Sequence, residues 1–426
     1  MTIQSEGLNR RTYVTYILIL GLLTTIGPFS IDMYLPGFDD IARNLHTDPA
    51  TVALSLSSYF IGLAVGQLVY GPLLDRYGRK KPLYAGLGLY IVATAICMQA
   101  RDINTLIVLR FIQALGSCGA QVAAMAMVRD LFGAKESAKV FSLLLLVIGA
   151  SPMIAPTAGG YIVVAFGWRT IFLILGVISV VVTLLTIFFL PESYPADRSF
   201  SLKPGPIIRN FISVIRTRQF LVSTLIEAFA FAGLFAYVSG SPILFMNIFH
   251  VDKRTYGWIF AFLSVAFIVL SQFNGRLLRR YTSFQIIRVA LTGQVIVALI
   301  FLAGAIAGWY GLGSTIALLF LFLTFLGFTY PNAAALALAP FDKNAGTASS
   351  LLGTLQMGIG ALASVAVSAF SNGTAVPMIA VIAGTSVLAM AILVMGAGGN
   401  KANLIMGAGR PNAPATAEGS DKSPSI

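Results

Sequence analysis

Uninterrupted apolar segments of about 20 residues recur along this 426-residue chain, and no other feature limits its fold as strongly. As a helix, a segment of about 20 residues crosses a hydrocarbon core of roughly 30 Å. Backbone groups in lipid must find partners within their own segment, so each run is predicted to be a helix rather than a barrel strand. With 57% hydrophobic and 10% charged residues, the composition indicates a polytopic membrane protein.

We predict an all-α integral membrane protein with twelve transmembrane helices. The predicted spans are residues 13–36, 51–74, 82–100, 104–128, 140–165, 169–190, 219–248, 254–275, 284–307, 311–338, 345–371 and 375–396. The longest polar connection predicts an N-terminal six-helix bundle at 1–190, a cytoplasmic linker at 191–218 and a C-terminal six-helix bundle at 219–396. The tail at 397–426 is rich in Gly, Ala, Pro and Ser, and we expect it to be disordered and cytoplasmic.

Lys and Arg are distributed unevenly between the two sets of connections. One set, together with both termini, holds 22 of the 28 basic residues, the opposite set holds five, and the last, Arg110, lies inside span 4. The positive-inside rule therefore predicts that both termini are cytoplasmic. Because this asymmetry accounts for the net charge of +12, we expect no nucleic-acid partner.

The two halves of the chain resemble each other in sequence. When residues 46–77 are set on 250–281, nine of the 32 positions are identical, among them His46 with His250, Asp48 with Asp252, and Gly71 with Gly275. The matches fall at the same place relative to the spans. We therefore predict two parallel repeats.

The connection after span 2 reads GPLLDRYGRKKPL and carries a specific motif. It resembles the signature G-x-L-a-D-R-x-G-R-K of the major facilitator superfamily, which is met by Gly71, Leu73, Asp75, Arg76, Gly78, Arg79 and Lys80. The resemblance implies two six-helix bundles related by a pseudo-two-fold axis. It also implies a latch that joins the two halves on the cytoplasmic side when the central cavity opens outward.

Each part of this latch has an expected physical role. Gly71 would let the backbone pack closely, Gly78 would allow a tight turn, and Asp75 would meet the N-terminus of a neighbouring helix. The second copy, GRLLRRYTSFQII, has Arg279 in place of the acid. We therefore expect an intact latch in the N-terminal half only.

Spans 4 and 5 carry two further elements of the same superfamily. RFIQALGSCG resembles its R-x-x-Q-G-x-G element through Arg110, Gln113 and Gly116, with Ala114 where Gly is usual. GASPMIAPTAGG resembles the signature of its exporter branch. We call span 5 the predicted antiporter helix. Pro152 and Pro156 would bend it, and Gly159 and Gly160 would let another helix approach closely.

The segment SIDMYLP in span 1, with AFGWRTIFLI after span 5 and LPES after span 6, is most similar to the Bcr/CflA group of drug:proton antiporters. That resemblance covers nearly the whole chain except the tail. It implies efflux of small, often amphipathic compounds, including bicyclomycin- or phenicol-type antibiotics, through the bacterial inner membrane. The energy source would be the proton gradient, with no cofactor.

Asp32 is the expected proton acceptor. It lies roughly 6 Å inside Pro36, and Arg110 lies roughly 9 Å inside the outer end of span 4, so the two can share a level. An arginine at this depth is expected to face a wet cavity or a carboxylate. Arg110 would then compensate Asp32 when it is ionised. The alternative is a fixed Asp32–Arg110 pair that only orients helices 1 and 4.

Glu227 is the other acid inside a predicted span, and we group it with Asp32 and Arg110 as a proton-coupling candidate. It is either a second proton or cation site or a partner for a polar side chain. Further aromatic and amide residues are candidates for lining a central cavity, although each is equally suited to helix packing. They are Tyr34, Tyr59, Gln67, Gln121, Tyr237, Gln272, Asn332 and Gln356.

Enzyme and metal functions lack their motifs. The chain has no G-x-x-x-x-G-K-[ST] phosphate loop and no H-E-x-x-H. His46 and His250 are expected in equivalent external loops of opposite halves, and Cys97 and Cys118 lie inside spans, so we predict neither a metal site nor a disulfide. The expected partners are a small molecule, protons and the bilayer, and we expect a monomer. The alternatives are export of an endogenous metabolite such as an amino acid, or a sensor that does not transport.

Overall fold

The computed structural model describes residues 9–132, 134–196, 204–341 and 345–397. Every regular element within these ranges is helical. All but the first residue of the predicted tail lies outside the described residues, as does part of the predicted linker.

Twelve long helices follow one another along the chain. They are α1 Arg10–Asp32, α2 Pro49–Tyr77, α3 Lys80–Cys97, α4 Ile103–Leu131, α5 Ala134–Phe166, α6 Arg169–Phe189, α7 Arg218–Pro242, α8 Lys253–Ser271, α9 Ser283–Ile306, α10 Leu312–Leu338, α11 Ala345–Ala369 and α12 Val376–Ala397. Each predicted span corresponds to one of them, so the twelve-helix fold is confirmed.

Ten of the described helical segments are long and apolar enough to cross a membrane by length and composition. The remaining two long helices, α3 and α8, have 18 and 19 residues and both begin with basic residues. These two helices complete the set of twelve. The first, α3, is the third long helix of the N-terminal half, and α8 is the second long helix of the C-terminal half.

The ends of several predicted spans were wrong. Span 1 was expected to reach Pro36, but α1 ends at Asp32, and a 3-10 turn at Leu35–Gly37 leads into a short helix at Phe38–Asn44. Proline at the start of that turn cannot donate a backbone hydrogen bond to α1. Span 8 was expected to reach residue 275, but α8 ends at Ser271 and a separate short helix follows at Asn274–Leu277.

Two more short elements were not predicted. A π-helix at Ile243–Ile248 extends α7. The linker contains a helix at Pro204–Ile215, where only a polar connection was expected. Val214 of this linker helix is fully buried in a cluster with Phe220 of α7 and with Leu351 and Leu352 of α11. The linker helix is therefore anchored to the C-terminal half by apolar packing.

The two halves meet along two helix pairs, α2 with α11 and α5 with α8. Small residues make the second pair possible. A Cβ atom on Gly160 would overlap the carbonyl oxygen of Lys253, and a Cβ atom on Gly159 would overlap the carbonyl oxygen of Met33 at the end of α1. The prediction that the glycines of span 5 permit close approach is confirmed.

The loops that precede α2 and α8 have the same local structure. His46 and His250 both have positive φ angles, 51° and 52°. Two residues later, Asp48 accepts hydrogen bonds from the backbone and side chain of Thr51, and Asp252 does the same with Thr255. The predicted repeat is therefore visible in the backbone as well as in the sequence.

Candidate functional site

Two polar contacts join the halves at their predicted outer ends. Lys253 Nζ lies 2.6 Å from a carboxylate oxygen of Asp40. Asn247 Nδ2 donates to Asp39 at 3.0 Å. Asp40 also pairs with Arg43 on its own short helix. We call Asp39, Asp40, Asn247 and Lys253 the outer clamp, because they tie the short helix after α1 to the π-helix that extends α7 and to the start of α8.

The predicted latch loop is held tightly within the N-terminal half. Gly78 has a φ of +82°, a conformation that favours glycine, so the expected tight turn is confirmed. Arg79 donates from Nε to Asp130 at 2.7 Å and from Nη1 to Asp75 at 2.9 Å. Burial would lower the pKa of Arg79, but the bonds and attraction from Asp130 and Asp75 outweigh it and raise that pKa.

Glu192 is a partner of the predicted latch loop that the sequence interpretation missed. Its carboxylate accepts from the backbone N–H of Arg79 at 2.8 Å and from that of Lys80 at 3.2 Å, at the N-terminus of α3. Asp75 was expected to meet a helix N-terminus, but in the structure that role belongs to Glu192. Glu192 belongs to the segment LPES, which was used only for the family resemblance. Because Glu192 and Arg79 are 113 residues apart in the sequence, no local pattern connects them.

One reason given for the latch glycines was wrong. A Cβ atom on Gly71 would meet nothing within 4 Å, and the same holds for Gly275 in the second copy. The close approach instead occurs in α4, where a Cβ atom on Gly116 would lie 2.6 Å from the backbone nitrogen of Tyr90. Gly116 therefore allows α3 and α4 to pack with their backbones nearly in contact.

Arg110 is fully buried and is held by its own half. Its Nη1 donates to Gln113 Oε1 at 2.7 Å, and its Nη2 donates to the carbonyl oxygen of Ser30 at 2.8 Å. The guanidinium group lies 4.6 Å from the ring centre of Tyr34 and 4.3 Å from that of Tyr59. Cation–π contacts of this kind stabilise a desolvated guanidinium group.

The predicted pairing of Arg110 with Asp32 is wrong for this conformation. Neither residue takes part in any of the four ion pairs of the described residues. The two residues do occur near the same level, since Arg110 bonds to the backbone two residues before Asp32. Depth along a helix was predicted correctly, but rotation about its axis turns the two side chains to different neighbours.

Tyr34 and Tyr59 were predicted to line a cavity, yet both are fully buried around Arg110. The Tyr34 hydroxyl group bonds with Ser55 at 2.8 Å, and the Tyr59 hydroxyl group bonds with Ser117 at 2.7 Å. They support the guanidinium group rather than face an open space.

Asp32 lies at the junction of the two halves and is 5% exposed. Its carboxyl group lies close enough to Tyr237 of α7 and Tyr256 of α8 to interact with both electrostatically. Tyr256 bonds with Ser241 at 2.9 Å. The Tyr237 hydroxyl group is buried and has no hydrogen-bond partner within the described part of the chain. Asp32 thus faces the C-terminal half, while Arg110 is enclosed by the N-terminal half.

The remaining cavity candidates occupy different settings. Gln67 contacts α11, where Ser350 donates to its backbone oxygen. Asn332 is buried and donates to Asn274 at 2.7 Å. Gln356 is 6% exposed and lies at the Tyr330 hydroxyl group. Gln121 is half-buried on α4, and Gln272 is exposed just beyond α8, so Gln272 does not join the buried set.

A cluster of aromatic rings was also missed. Phe60 of α2 and Phe235 of α7 are in edge contact across the two halves, with ring centres 4.3 Å apart. Phe235 also contacts Phe231, one turn away, at 5.4 Å. The spacing of phenylalanines in FAFAGLFAY was a usable signal, because residues four apart share one face of a helix.

Residues 20–365 match the Major Facilitator Superfamily. This chain belongs to that superfamily. Its latch motif, its Arg110 element and its twelve helices are therefore those of a membrane transporter and not of an enzyme.

Curated members of the superfamily resemble the chain over most of their length. It is 33% identical to an uncharacterized MFS-type transporter, YdgK, of Bacillus subtilis over 373 residues, which cover 87% of this chain and 92% of that one. It is 31% identical to a bicyclomycin resistance protein homolog of Haemophilus influenzae, covering 87% and 93%. It is also 31% identical to the multidrug resistance protein MdtL of Klebsiella pneumoniae, covering 80% and 85%. These relatives agree with the resemblance to the Bcr/CflA group.

Solved structures of superfamily transporters share the fold. The crystal structure of the nucleoside transporter NupG has a TM-score of 0.67 and 15% identity, covering 90% of this chain and 99% of that one. A bacterial homolog of the lysosomal transporter Spinster also has a TM-score of 0.67 and 15% identity, covering 94% and 98%. At this level of identity the likeness concerns the architecture alone.

Proposed function

We propose that this chain exports small amphipathic drugs across the bacterial inner membrane in exchange for protons, by alternating access. The observation that carries the proposal is the place of Asp32, a buried carboxyl group of one half that faces two tyrosines of the other half. Because the halves of such a transporter move against each other, the surroundings of a group at their junction change during the cycle.

Asp32 is the residue that we assign to the proton. Water favours the ionised form of a carboxyl group and dry surroundings favour the neutral form. Asp32 would bind a proton from the outer solution and release it to the cytoplasm, and substrate entering from the cytoplasm would bind only after that release. The Tyr237 hydroxyl group, which has no hydrogen-bond partner among the described residues, is placed to donate to the ionised carboxylate after a small movement.

Arg110 acts as a positioning residue in this scheme. It bonds to the carbonyl oxygen of Ser30, in the last turn of α1 before Asp32. It therefore fixes the end of α1 instead of neutralising the carboxylate directly. A working monomer is part of this proposal.

The outer clamp and the latch are proposed to alternate. The clamp between Asp40 and Lys253 joins the halves on one side, while Arg79 and Lys80 make their bonds within the N-terminal half. This combination supports a conformation closed to the outside. We also propose that both termini are in the cytoplasm, because the connections on their side hold most of the Lys and Arg residues. Opening outward would break the clamp and engage the latch with the C-terminal half.

Substrate-induced proton release tests the function. Purified protein in weakly buffered detergent solution would be mixed with a panel of amphipathic antibiotics and amino acids while a pH dye is followed. We expect acidification with at least one antibiotic, and none from Asp32→Asn with the same compound. Release by amino acids alone would favour metabolite export, and equal release from Asp32→Asn would reject the assigned role of Asp32.

A further inference from the structure

The second copy of the latch motif carries arginines that no acid of the described residues neutralises. In the first copy, Arg79 pairs with two aspartates of its own half. In the second copy, Arg276, Arg279 and Arg280 are exposed, and none of them takes part in the four ion pairs of the described part of the chain. The positive charge of this connection is therefore open to an anion from outside the chain.

Exposed apolar side chains lie among these arginines. Phe273, Leu278 and Tyr281 are all exposed, and the guanidinium group of Arg276 lies 5.0 Å from the ring centre of Phe273. Aromatic rings between basic residues at the end of a spanning helix are typical of the membrane interface, where the rings lie at the level of the lipid headgroups. The connection between α8 and α9 is therefore placed at the bilayer surface.

A largely apolar groove opens at the same end of the C-terminal half, between α7, α9, α10 and α12. Its lining includes Val222, Ile226, Phe284, Ile287, Leu336 and Leu393. Two residues beyond Ile287 and Leu393, the side chains of Val289 and Met395 are 72% and 69% exposed. Apolar side chains that are so exposed on spanning helices contact lipid. The groove therefore opens toward the acyl chains of the bilayer.

Three exposed arginines lie at the ends of the helices that form the groove. Arg280 precedes Phe284 by four residues, and Arg288 follows Phe284 by one turn of α9. Arg218 precedes Val222 by one turn of α7. None of the three arginines takes part in an ion pair of the described residues. An arginine in the second turn of a spanning helix, as Arg288 is, extends its charged group to the headgroup region when it has no carboxylate partner.

We propose that this end of the C-terminal half binds an anionic phospholipid, with its phosphate group at Arg280 and Arg288 and one acyl chain in the groove. Guanidinium groups form paired hydrogen bonds with phosphate oxygens, and the groove supplies apolar surface for the chain. With the orientation proposed above, the lipid belongs to the cytoplasmic leaflet. The two halves thus neutralise their repeated motif differently, by carboxylates in the N-terminal half and by a lipid in the C-terminal half.

Native mass spectrometry of the purified full-length protein in detergent counts bound lipids directly. The probes are phosphatidylglycerol and phosphatidylcholine with identical acyl chains, since both contain a phosphate group but only the first has a net negative charge. We expect wild type to bind one phosphatidylglycerol with an affinity at least about tenfold higher than that of Arg280→Gln/Arg288→Gln. Binding of phosphatidylcholine should differ less than about twofold between the two proteins. Equal affinity of the two proteins for phosphatidylglycerol would overturn the site.

A charge-matched control separates a specific site from general attraction between charges. Arg10→Gln/Arg11→Gln removes the same charge from two exposed residues at the start of α1, at the same end of the helices as the second copy. This variant should bind phosphatidylglycerol as wild type does. An equal loss of binding from both double variants would show diffuse attraction only, and the assignment would fail.

Thermal unfolding in lipid-free detergent checks that the arginines are not needed for the fold. Arg280→Gln/Arg288→Gln should unfold within about 2 °C of wild type, because neither arginine has an acidic partner to lose among the described residues. A much lower unfolding temperature without lipid would assign the two arginines to the fold itself and overturn the site.

A soluble phosphate compound tests the role of the groove. Glycerol 3-phosphate in an excess of about a hundredfold should not displace phosphatidylglycerol from wild type, because it lacks an acyl chain. Displacement would leave a site for free phosphate and overturn the lipid assignment. Failure of this assignment would leave the export proposal standing, because neither Arg280 nor Arg288 takes part in the proton scheme.

Discussion

Arg110 in the N-terminal half and Glu227 in the C-terminal half are both fully buried, but their surroundings differ. Arg110 donates to Gln113 and to the backbone of Ser30, and two tyrosine rings cover it. Glu227 has no hydrogen-bond partner for either oxygen among the described residues. The halves nevertheless share their loop geometry, down to the positive φ angles of His46 and His250.

The repeated fold therefore does not require a hydrogen-bonded charge at the centre of each half. Where a buried charge is held by several hydrogen bonds within one half, as Arg110 is through its Nη1 and Nη2 atoms, it is part of that half's architecture, and removing it should destabilise the protein. Where a buried acid lacks partners, it contributes little to stability and is available to a proton or ligand that comes and goes. The chain thus combines a bonded arginine in the N-terminal half with an unpartnered acid in the described part of the C-terminal half.

The largest expected effect comes from removing the structural charge. Arg110→Met keeps much of the side-chain volume but leaves Gln113 Oε1 and the Ser30 carbonyl oxygen without a donor. Each lost partner costs about 1–3 kcal/mol, so we expect a loss of stability of about 3 kcal/mol. Thermal unfolding of the purified protein in detergent measures it.

The matched control for this prediction is Glu227→Gln. It breaks no bond of the described residues, so its stability should differ from wild type by less than about 1 kcal/mol. Equal destabilisation by the two variants would remove the distinction between the halves.

Sequence reasoning predicted the helices and the loops well because their signals are local. An apolar run long enough to span, or an Asp three residues before a Thr at a helix start, is visible within a short window. Asp48 and Asp252 carry such a signal, although they were identified only as matching positions of the two repeats. Such signals also identified Gly78, whose turn requires a positive φ angle.

The partners of the buried charges were not predictable in the same way. Counting residues gives the depth of Asp32 and Arg110, but each residue along a helix turns the side chain by about 100°, and the packing of several helices decides what it meets. Glu192 reaches Arg79 across 113 residues of sequence. Gly71 and Gly116 look alike in the sequence, yet only Gly116 lies against another backbone.

A smaller effect is expected at the latch, where the two copies also differ. Glu192→Gln weakens the charge-assisted bonds to the backbone N–H groups of Arg79 and Lys80. We expect hydrogen–deuterium exchange of the 78–84 peptide to rise about tenfold.

In the second copy, the corresponding turn is held by Thr282 and Gln285, whose side chains bond to each other's backbone N–H groups. Its peptide should exchange as in wild type, and a rise in both peptides would mean general loosening.

The smallest effects test what the halves share. Asp48→Ala and Asp252→Ala each remove the cap of a helix, at a cost of about 1 kcal/mol near pH 7.

Hydrogen bonds from Thr255 lower the pKa of Asp252 below its usual range in the folded state. The cap therefore stabilises the fold at pH values above about 4 and loses its contribution as the pH falls below that. Thermal unfolding at pH 7 and pH 3 should show a gap between wild type and Asp252→Ala that narrows in acid. Similar gaps for the two variants at pH 7 would confirm that the repeats are equivalent at their loops, and a large loss from one alone would show that the asymmetry extends beyond the buried charges.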